Sequence, residues 1–268
     1  MRTTTRVARG FTLVELVITI AVSSVVVAFM AMFIVAPMTI YAAQTRRATL
    51  VDAADSALRF IGRDLRAALP NSVRVSASGS VTALELLATA DGAFATTVPF
   101  TQLTLPWTSS AYFLSIYNVG VPGADAYQTP PPTPNVITPA GTTITISAGA
   151  TANQDLVTLS PAFQFAFGSP GQRVFLVSGP VSYLCDTAAA TLTRYSGYTI
   201  ASAQPVSAAA LNAAGASAAL VASNVAGCQF VLSAGTAQRN GLATLTLQIA
   251  QSGESVQLLH QVEVANAP

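Results

Sequence analysis

Residues 10–43, GFTLVELVITIAVSSVVVAFMAMFIVAPMTIYAA, form an apolar run in which Glu15 carries the only charged side chain. A hydrocarbon core of about 30 Å needs about 20 helical residues, and residues 16–37 alone supply that length. The run is too long for an ordinary secretory signal, and its end around residues 41–44 is a poor small-residue cleavage site. The sequence therefore predicts a membrane-spanning helix that the mature protein retains.

The flanks of this run predict its orientation. Residues 1–10, MRTTTRVARG, contain three arginines and no acid. Because basic flanks favour the cytoplasmic side, we expect everything after the span to lie across the membrane. Arg46 and Arg47, beyond the span, weaken this asymmetry.

Glu15 needs an explanation, because a carboxylate at mid-span costs about 3 kcal/mol on insertion scales. No basic side chain lies in the span. A cut between Gly10 and Phe11 would create an α-amino group four residues upstream of Glu15, about 6 Å along a helix axis. Amine and carboxylate could then neutralise each other, within one chain or between neighbours. The alternative is that Glu15 lies at headgroup level, where its cost is small.

The stretch GFTLVE at residues 10–15, behind a short arginine-bearing leader and ahead of an apolar helix, resembles the processing motif of type IV prepilins. In that family a prepilin peptidase cuts after the glycine and N-methylates the new first residue. The resemblance implies cleavage between Gly10 and Phe11, N-methylation of Phe11, and a role for Glu15 in subunit register. It also implies that the helix serves first as membrane anchor and then as the core of a filament.

Residues 41–69 change to a pattern with one apolar face, which predicts an amphipathic helix that docks on a globular domain. Pro70 should end this helix. Pro37 removes one helical hydrogen bond, which predicts a kink or a locally melted turn there. The apolar positions are Leu50, Ala54, Ala57, Leu58, Ile61, Leu65 and Leu69.

Beyond residue 73 short β-type runs alternate with turn residues. The predicted fold is therefore α+β: a long N-terminal helix packed on a mainly antiparallel β domain, as in pilins. Residues 201–222 could form a short helix or a loose excursion, and residues 128–139, with five prolines, should form an extended surface loop. The predicted strands are 84–88, 102–105, 112–117, 142–147, 156–160, 173–178, 181–185, 191–195, and a hairpin of 242–250 and 255–264.

Cys185 and Cys228 are the only cysteines, and both fall in the part expected outside the cytoplasm. A disulfide is the economical interpretation. Closing a loop of about 44 residues would stabilise the fold by about 4 kcal/mol in the chain-entropy model. A redox or metal pair would need closer spacing and further ligands.

Catalytic signatures are missing. All 12 basic residues are arginine, which excludes P-loop, Schiff-base and lysine-dependent kinase chemistry. His260, the only histidine, falls on the apolar face of the last strand, where we expect a hydrogen-bonded structural role. Residues 75–268 carry three arginines against seven acids, so nucleic acid is not an expected partner. We expect no enzyme activity, no catalytic residue, no cofactor and no metal.

Three further stretches resemble the MshO group of minor pilins, associated with biogenesis of the mannose-sensitive haemagglutinin (MSHA) pilus. They are AALPNSVR at 67–74, VSGPVSYLCD at 177–186 and LHQVEV at 259–264. The resemblance implies a structural subunit of a cell-adhesion pilus. Its implied partners are prepilin peptidase, other major and minor pilins, and the inner-membrane pilus assembly platform.

Four segments follow: a leader at 1–10, a transmembrane and assembly helix at 11–40, its amphipathic continuation at 41–70, and a periplasmic β-rich domain at 71–268. The chain would cross the bacterial inner membrane once and later reach the pilus at the cell surface. Two alternatives stay open. One is a minor pseudopilin of a type II secretion system; the other is a membrane-anchored periplasmic enzyme or binding module whose leader resembles a prepilin by accident.

Overall fold

The computed structural model describes residues 10–94, 99–128, 134–235 and 239–267. The predicted leader lies outside these residues except for Gly10, as do residues 129–133 of the proline-rich loop. The chain divides into two compact units, Met1–Thr49 and Leu50–Pro268.

The first unit is helical from Leu13 onward. No side chain of its first helix is buried, which suits a helix that faces lipid or neighbouring chains. The backbone stays helical through Pro37, so no turn is melted there, and the alternative, a kink, stays a prediction. The elements are α1 (Leu13–Met30), a π-helical turn (Ala31–Val35) and α2 (Ala36–Arg66), of which α2 continues into the second unit.

Within the second unit α2 buries the predicted apolar face, including Ile61 and Leu65, neither of which is exposed. The helix ends at Arg66 rather than just before Pro70. The amide of Leu69 donates to the carbonyl of Leu87 at 2.8 Å, so these residues leave the helix to join a strand. A residue that precedes proline also disfavours the helical conformation.

The β domain confirms the predicted fold class, because every pair of its strands is antiparallel. The first sheet has the order β1-β2-β7-β8-β9, with β4 also paired to β7; the second is β10-β11-β12 and the third β3-β5-β6. The strands are β1 (Arg74–Ser78), β2 (Val81–Phe94), β3 (Trp107–Ser109), β4 (Phe113–Ser115), β5 (Thr143–Ala148), β6 (Asp155–Ser160), β7 (Arg173–Asp186), β8 (Thr191–Ser196), β9 (Ser217–Ser223), β10 (Val225–Ser233), β11 (Gly241–Gln251) and β12 (Glu254–Val264), with a short helix α3 (Ala208–Ala213) before β9.

The main core lies between the buried face of α2 and the first two sheets. Ile61 of the helix, Tyr183 of β7 and Leu245 of β11 belong to one cluster, and none of them is exposed. Burying such side chains contributes about 1.5–3 kcal/mol each, so this cluster is the main attachment of the helix to the domain.

Several predicted strands differ from those observed. The predicted strand at 102–105 is wrong, because a loop lies there. The carboxylates of Asp155 and Asp91 hold this loop by accepting hydrogen bonds from the backbone amides of Phe100 and Gln102, respectively. The two runs at 173–178 and 181–185 form the single strand β7, which carries a bulge opposite β2. Residues 201–222 contain α3 and most of β9 rather than a loose excursion.

Candidate processing and assembly site

The bond between Gly10 and Phe11 lies on exposed, non-helical backbone two residues before α1. Phe11 is 77% exposed. A Cβ built on Gly10 would meet no atom within 4 Å, so the described chain itself does not require glycine there.

Thr12 caps the helix that follows this bond. Its backbone is extended, and its side-chain oxygen accepts the amide hydrogen of Glu15 at 3.3 Å. Sequence reasoning missed this role, although the spacing Thr-x-x-Glu is a local signature of a helix N-terminus. Because the cap lies at Thr12, helical geometry starts at Leu13, and the 6 Å rise expected for a helix from Phe11 does not apply.

Glu15 occupies the first turn of α1, where the helix dipole favours a negative charge. Its side chain is exposed, and it forms no ion pair with any residue that the structure describes. The carboxylate is thus available to a cationic group outside the described part of the chain. The structure brings Phe11 and Glu15 within one turn of the same helix end.

The helix that begins here is exposed along its apolar length. Leu13, Val17 and Phe29 are each more than half exposed. By length and composition, the helix of residues Leu13–Arg66 is the one in the described chain that could cross a membrane. Such a surface is stable in lipid or against similar helices, and costly in water.

Cys185 and Cys228 form a disulfide, with their Cα atoms 6.5 Å apart. Cys185 is buried in β7 and Cys228 lies in β10, so the bond joins the first sheet to the second. The enclosed segment contains β8, α3 and β9. The bond therefore fixes the ends of the alanine-rich part of the domain.

His260 faces the core as predicted, but its expected hydrogen-bonded role is wrong. Its Nε2 atom is buried and has no hydrogen-bond partner among the described residues. The ring lies against Gly62 of α2: a Cβ on Gly62 would be 3.3 Å from Nε2 and 3.2 Å from a methyl group of Val262.

Glu85 is the most buried acid of the described chain, with a side chain that is fully enclosed. Burial is the largest influence on it and raises the pKa of Glu85, while Arg74 and Tyr198 act in the opposite direction. Arg74 lies 2.8 Å from one carboxylate oxygen, and the hydroxyl of Tyr198 donates to the other at 3.1 Å. An acid with a shifted pKa can mark a catalytic site, but Glu85 is enclosed by its partners and has no contact with solvent.

No group of three or more His, Cys, Asp or Glu side chains that could hold a metal ion occurs in the described part of the chain. The candidate site is instead the N-terminal segment, which combines an exposed peptide bond, a capped apolar helix and an acid in the first turn of that helix.

Residues 5–31 match the family described as Prokaryotic N-terminal methylation motif. No curated protein matches the chain, and no solved structure matches it. The motif supports a type IV pilin-like or pseudopilin-like protein and points to a structural subunit. Proteins with this motif are processed by prepilin peptidase and assemble with other pilins. Together with the apolar helix, it is consistent with a membrane-anchored pilin.

Proposed function

We propose that this chain is a minor pilin, which prepilin peptidase cleaves between Gly10 and Phe11 and methylates on the new amine of Phe11. One observation carries the proposal. The match at residues 5–31 spans an exposed, non-helical peptide bond that leads at once into a helix with no buried side chain. Cleavage there removes three arginines and keeps the helix for assembly.

The proposed location is the bacterial inner membrane, with residues 11–40 as the span, 41–70 as its continuation and 71–268 in the periplasm. The arginine-bearing leader supports this orientation through the positive-inside rule. The disulfide also supports it, because such bonds persist in oxidising compartments. After assembly the subunit would lie in the pilus at the cell surface.

The proposed filament is an MSHA-like type IV pilus, in which this subunit takes part in assembly or initiation. The stretches at 67–74, 177–186 and 259–264, similar to the MshO group, support this choice. The partners would be prepilin peptidase, other pilins and the inner-membrane assembly platform. The methylation motif fits a minor pseudopilin of type II secretion equally well.

The mass of the mature protein, purified from cells that contain prepilin peptidase, tests the proposal. The expected mass lacks residues 1–10 and includes one added methyl group on Phe11 and one disulfide. The Gly10→Val variant should keep the leader, because a branched side chain hinders access to the bond. A mature wild-type protein that begins anywhere other than Phe11 would refute processing, and with it the proposal.

Shearing the cells distinguishes the two machines. A minor pilin should be found in the sheared filament fraction of the source bacterium, and its deletion should reduce piliation. A pseudopilin should remain with the cells, and its deletion should retain secreted proteins in the periplasm. The second result would show that the chain belongs to a type II secretion system rather than a pilus, and it would leave the proposed processing unchanged.

A further inference from the structure

Two arginines follow directly on the apolar run of the first unit. Arg46 and Arg47 are exposed, and neither forms an ion pair with a residue that the structure describes. The sequence contains no Asp or Glu between Glu15 and Asp52, so this stretch of the helix supplies no acid of its own. Two positive charges are therefore open to an anionic group of another molecule at the point where the apolar helix ends.

The length of the helix determines the depth at which these arginines would lie. Residues 13–43 carry Glu15 as their only charged side chain. At 1.5 Å per residue they extend over about 45 Å, and a bilayer with its headgroup layers is about 40–45 Å thick. If Glu15 lies among the headgroups of one side, Arg46 and Arg47 lie among those of the other. This step rests on the proposed function, in which the helix crosses a membrane.

Tyr41 precedes the two arginines and is 73% exposed. Tyrosine is enriched at membrane–water interfaces, because its ring is apolar and its hydroxyl is polar. The hydroxyl of Thr45 donates to the carbonyl of Tyr41 at 3.0 Å, so this polar group is satisfied within the helix. The order along the chain, first an aromatic ring and then two guanidinium groups, matches a helix that passes from hydrocarbon through headgroups to water.

The same three side chains are spread around the helix. Successive residues of an α-helix are about 100° apart, so Arg46 lies about 140° from Tyr41, and Arg47 lies about 120° from it on the other side. None of residues 41–49 is buried. A protein partner would contact one face of the helix, whereas lipid headgroups surround it. The even spread therefore favours lipid as the partner.

We propose that Tyr41, Arg46 and Arg47 form a band in the headgroup layer, in which the two arginines bind the phosphate groups of anionic phospholipids. The guanidinium group suits this ligand, because its planar donors match pairs of phosphate oxygens. These contacts would hold the helix at a fixed depth in the membrane. A subunit that leaves the membrane for a filament would have to break them.

Lipid selectivity, measured by electron paramagnetic resonance, tests the band. The full-length protein is reconstituted in phosphatidylcholine vesicles with a trace of spin-labelled phosphatidylglycerol or, for comparison, of spin-labelled phosphatidylcholine. The motionally restricted fraction of the label gives the relative affinity of each lipid for the protein. The wild type should prefer phosphatidylglycerol, and the double variant Arg46→Gln with Arg47→Gln should lose about half or more of that preference.

The matched control is the double variant Arg59→Gln with Arg63→Gln, which removes two exposed arginines from the same helix within the second unit. The arginines of residues 1–10 are present in all three proteins, so their effect cancels in the comparison. A loss confined to the Arg46 and Arg47 variant would support the band. Equal losses in the two double variants would indicate a general effect of net charge and contradict it, and so would an unchanged preference in the Arg46 and Arg47 variant.

Inorganic phosphate, added at constant ionic strength, distinguishes a lipid site from a site for free phosphate. The preference for phosphatidylglycerol should persist, and loss of it to the competitor would contradict the lipid headgroup as ligand. The measurement does not require cleavage of the chain. A protein that is processed at Phe11 but lacks the preference would overturn the band alone. A preference in a protein whose mature form begins elsewhere would support the band while the proposed function fails.

Discussion

The carboxylate of Asp64, on α2, accepts a hydrogen bond from the phenol of Tyr183, on β7, at 2.7 Å. Arg194 of β8 donates to the same oxygen at 2.8 Å. Burial, followed by the hydrogen bond and charge of Asp64, raises the pKa of Tyr183 well above its ordinary value. The phenol therefore stays protonated and keeps donating at any physiological pH. This three-residue link ties the helix to two strands of the first sheet.

Removing the phenol should weaken that attachment. Tyr183→Phe should lower the free energy of unfolding by about 1–2 kcal/mol, because Asp64 loses the phenol as a donor while Arg194 remains. Urea unfolding of the detergent-solubilised protein, followed by circular dichroism, measures the change. Asp55→Asn is the control: Asp55 pairs with Arg59 on the exposed side of the same helix, and such pairs contribute about 0–1 kcal/mol. Equal losses in the two variants would contradict a special role for the buried link.

The close contact of Gly62 with His260 makes a second prediction. Gly62→Leu should destabilise the protein by about 1–3 kcal/mol, because the added side chain meets the imidazole and Val262 in a packed interface. Replacing His260 by Ala in the same chain should recover part of the loss by opening space. Ser56→Leu, on the exposed side of α2, serves as the control and should change stability little. Additive effects of the Gly62 and His260 changes in a double-mutant cycle would show that the two residues do not interact.

Local patterns predicted the helix, its buried face and the last hairpin, because these depend on residues close in sequence. Ser252 and Gly253 form the hairpin turn with positive φ at both, as a two-residue loop of type I′ requires. The strands β1, β3, β9 and β10 were not predicted. In β3 only three residues pair, and they pair with a strand more than 30 residues away, so no local alternation marks them.

The candidate site divides in the same way. The motif at residues 10–15 is contiguous, so the sequence was sufficient to recognise it. The unpartnered nitrogen of His260 could not be foreseen, because it depends on which part of α2 faces β12, and that part is a glycine. The helix end at Arg66 likewise depends on a distant strand that pairs with the residues after it.

Burial of Glu85 predicts an unusual pH dependence. Because its pKa is raised in the folded state, this acid favours folding most below its unfolded pKa, and that contribution is lost as pH rises through the folded value. The neutral variant Glu85→Gln lacks this titration. The free energy of unfolding of the wild type, minus that of Glu85→Gln, should therefore decrease as pH rises above about 4, the ordinary pKa of a glutamate.

Asp186 supplies a control of opposite sign. The hydrogen bond from the amide of Ala189 is the largest influence that lowers the pKa of Asp186. The contribution of Asp186 to stability is therefore present above its unfolded pKa and is lost as pH falls. The free energy of unfolding of the wild type, minus that of Asp186→Asn, should therefore increase with pH. If both free-energy differences changed with pH in the same direction, the raised pKa of Glu85 would be contradicted.

Reduction of the disulfide should loosen the β domain without releasing the chain from the membrane. The bond spans 43 positions, and the chain-entropy model gives about 4 kcal/mol for a loop of that size. The double variant Cys185→Ser and Cys228→Ser should show the same loss in urea and remain in the membrane pellet. An unchanged unfolding midpoint under reducing conditions would remove the stabilising role.

The acid in the first turn of α1 allows a test of assembly that leaves processing intact. Glu15→Gln keeps the shape of the side chain but removes the charge, and we expect normal cleavage at Gly10 with at least tenfold less protein in sheared filaments. The physical reason is that a neutral amide cannot form an ion pair with the α-amino group of Phe11 after cleavage.

Thr19→Val is the control, because the hydroxyl of Thr19 already donates to the carbonyl of Leu16 within the helix. Immunoblots of the membrane and filament fractions would report both steps. Normal incorporation of Glu15→Gln would show that charge pairing at this position does not drive assembly.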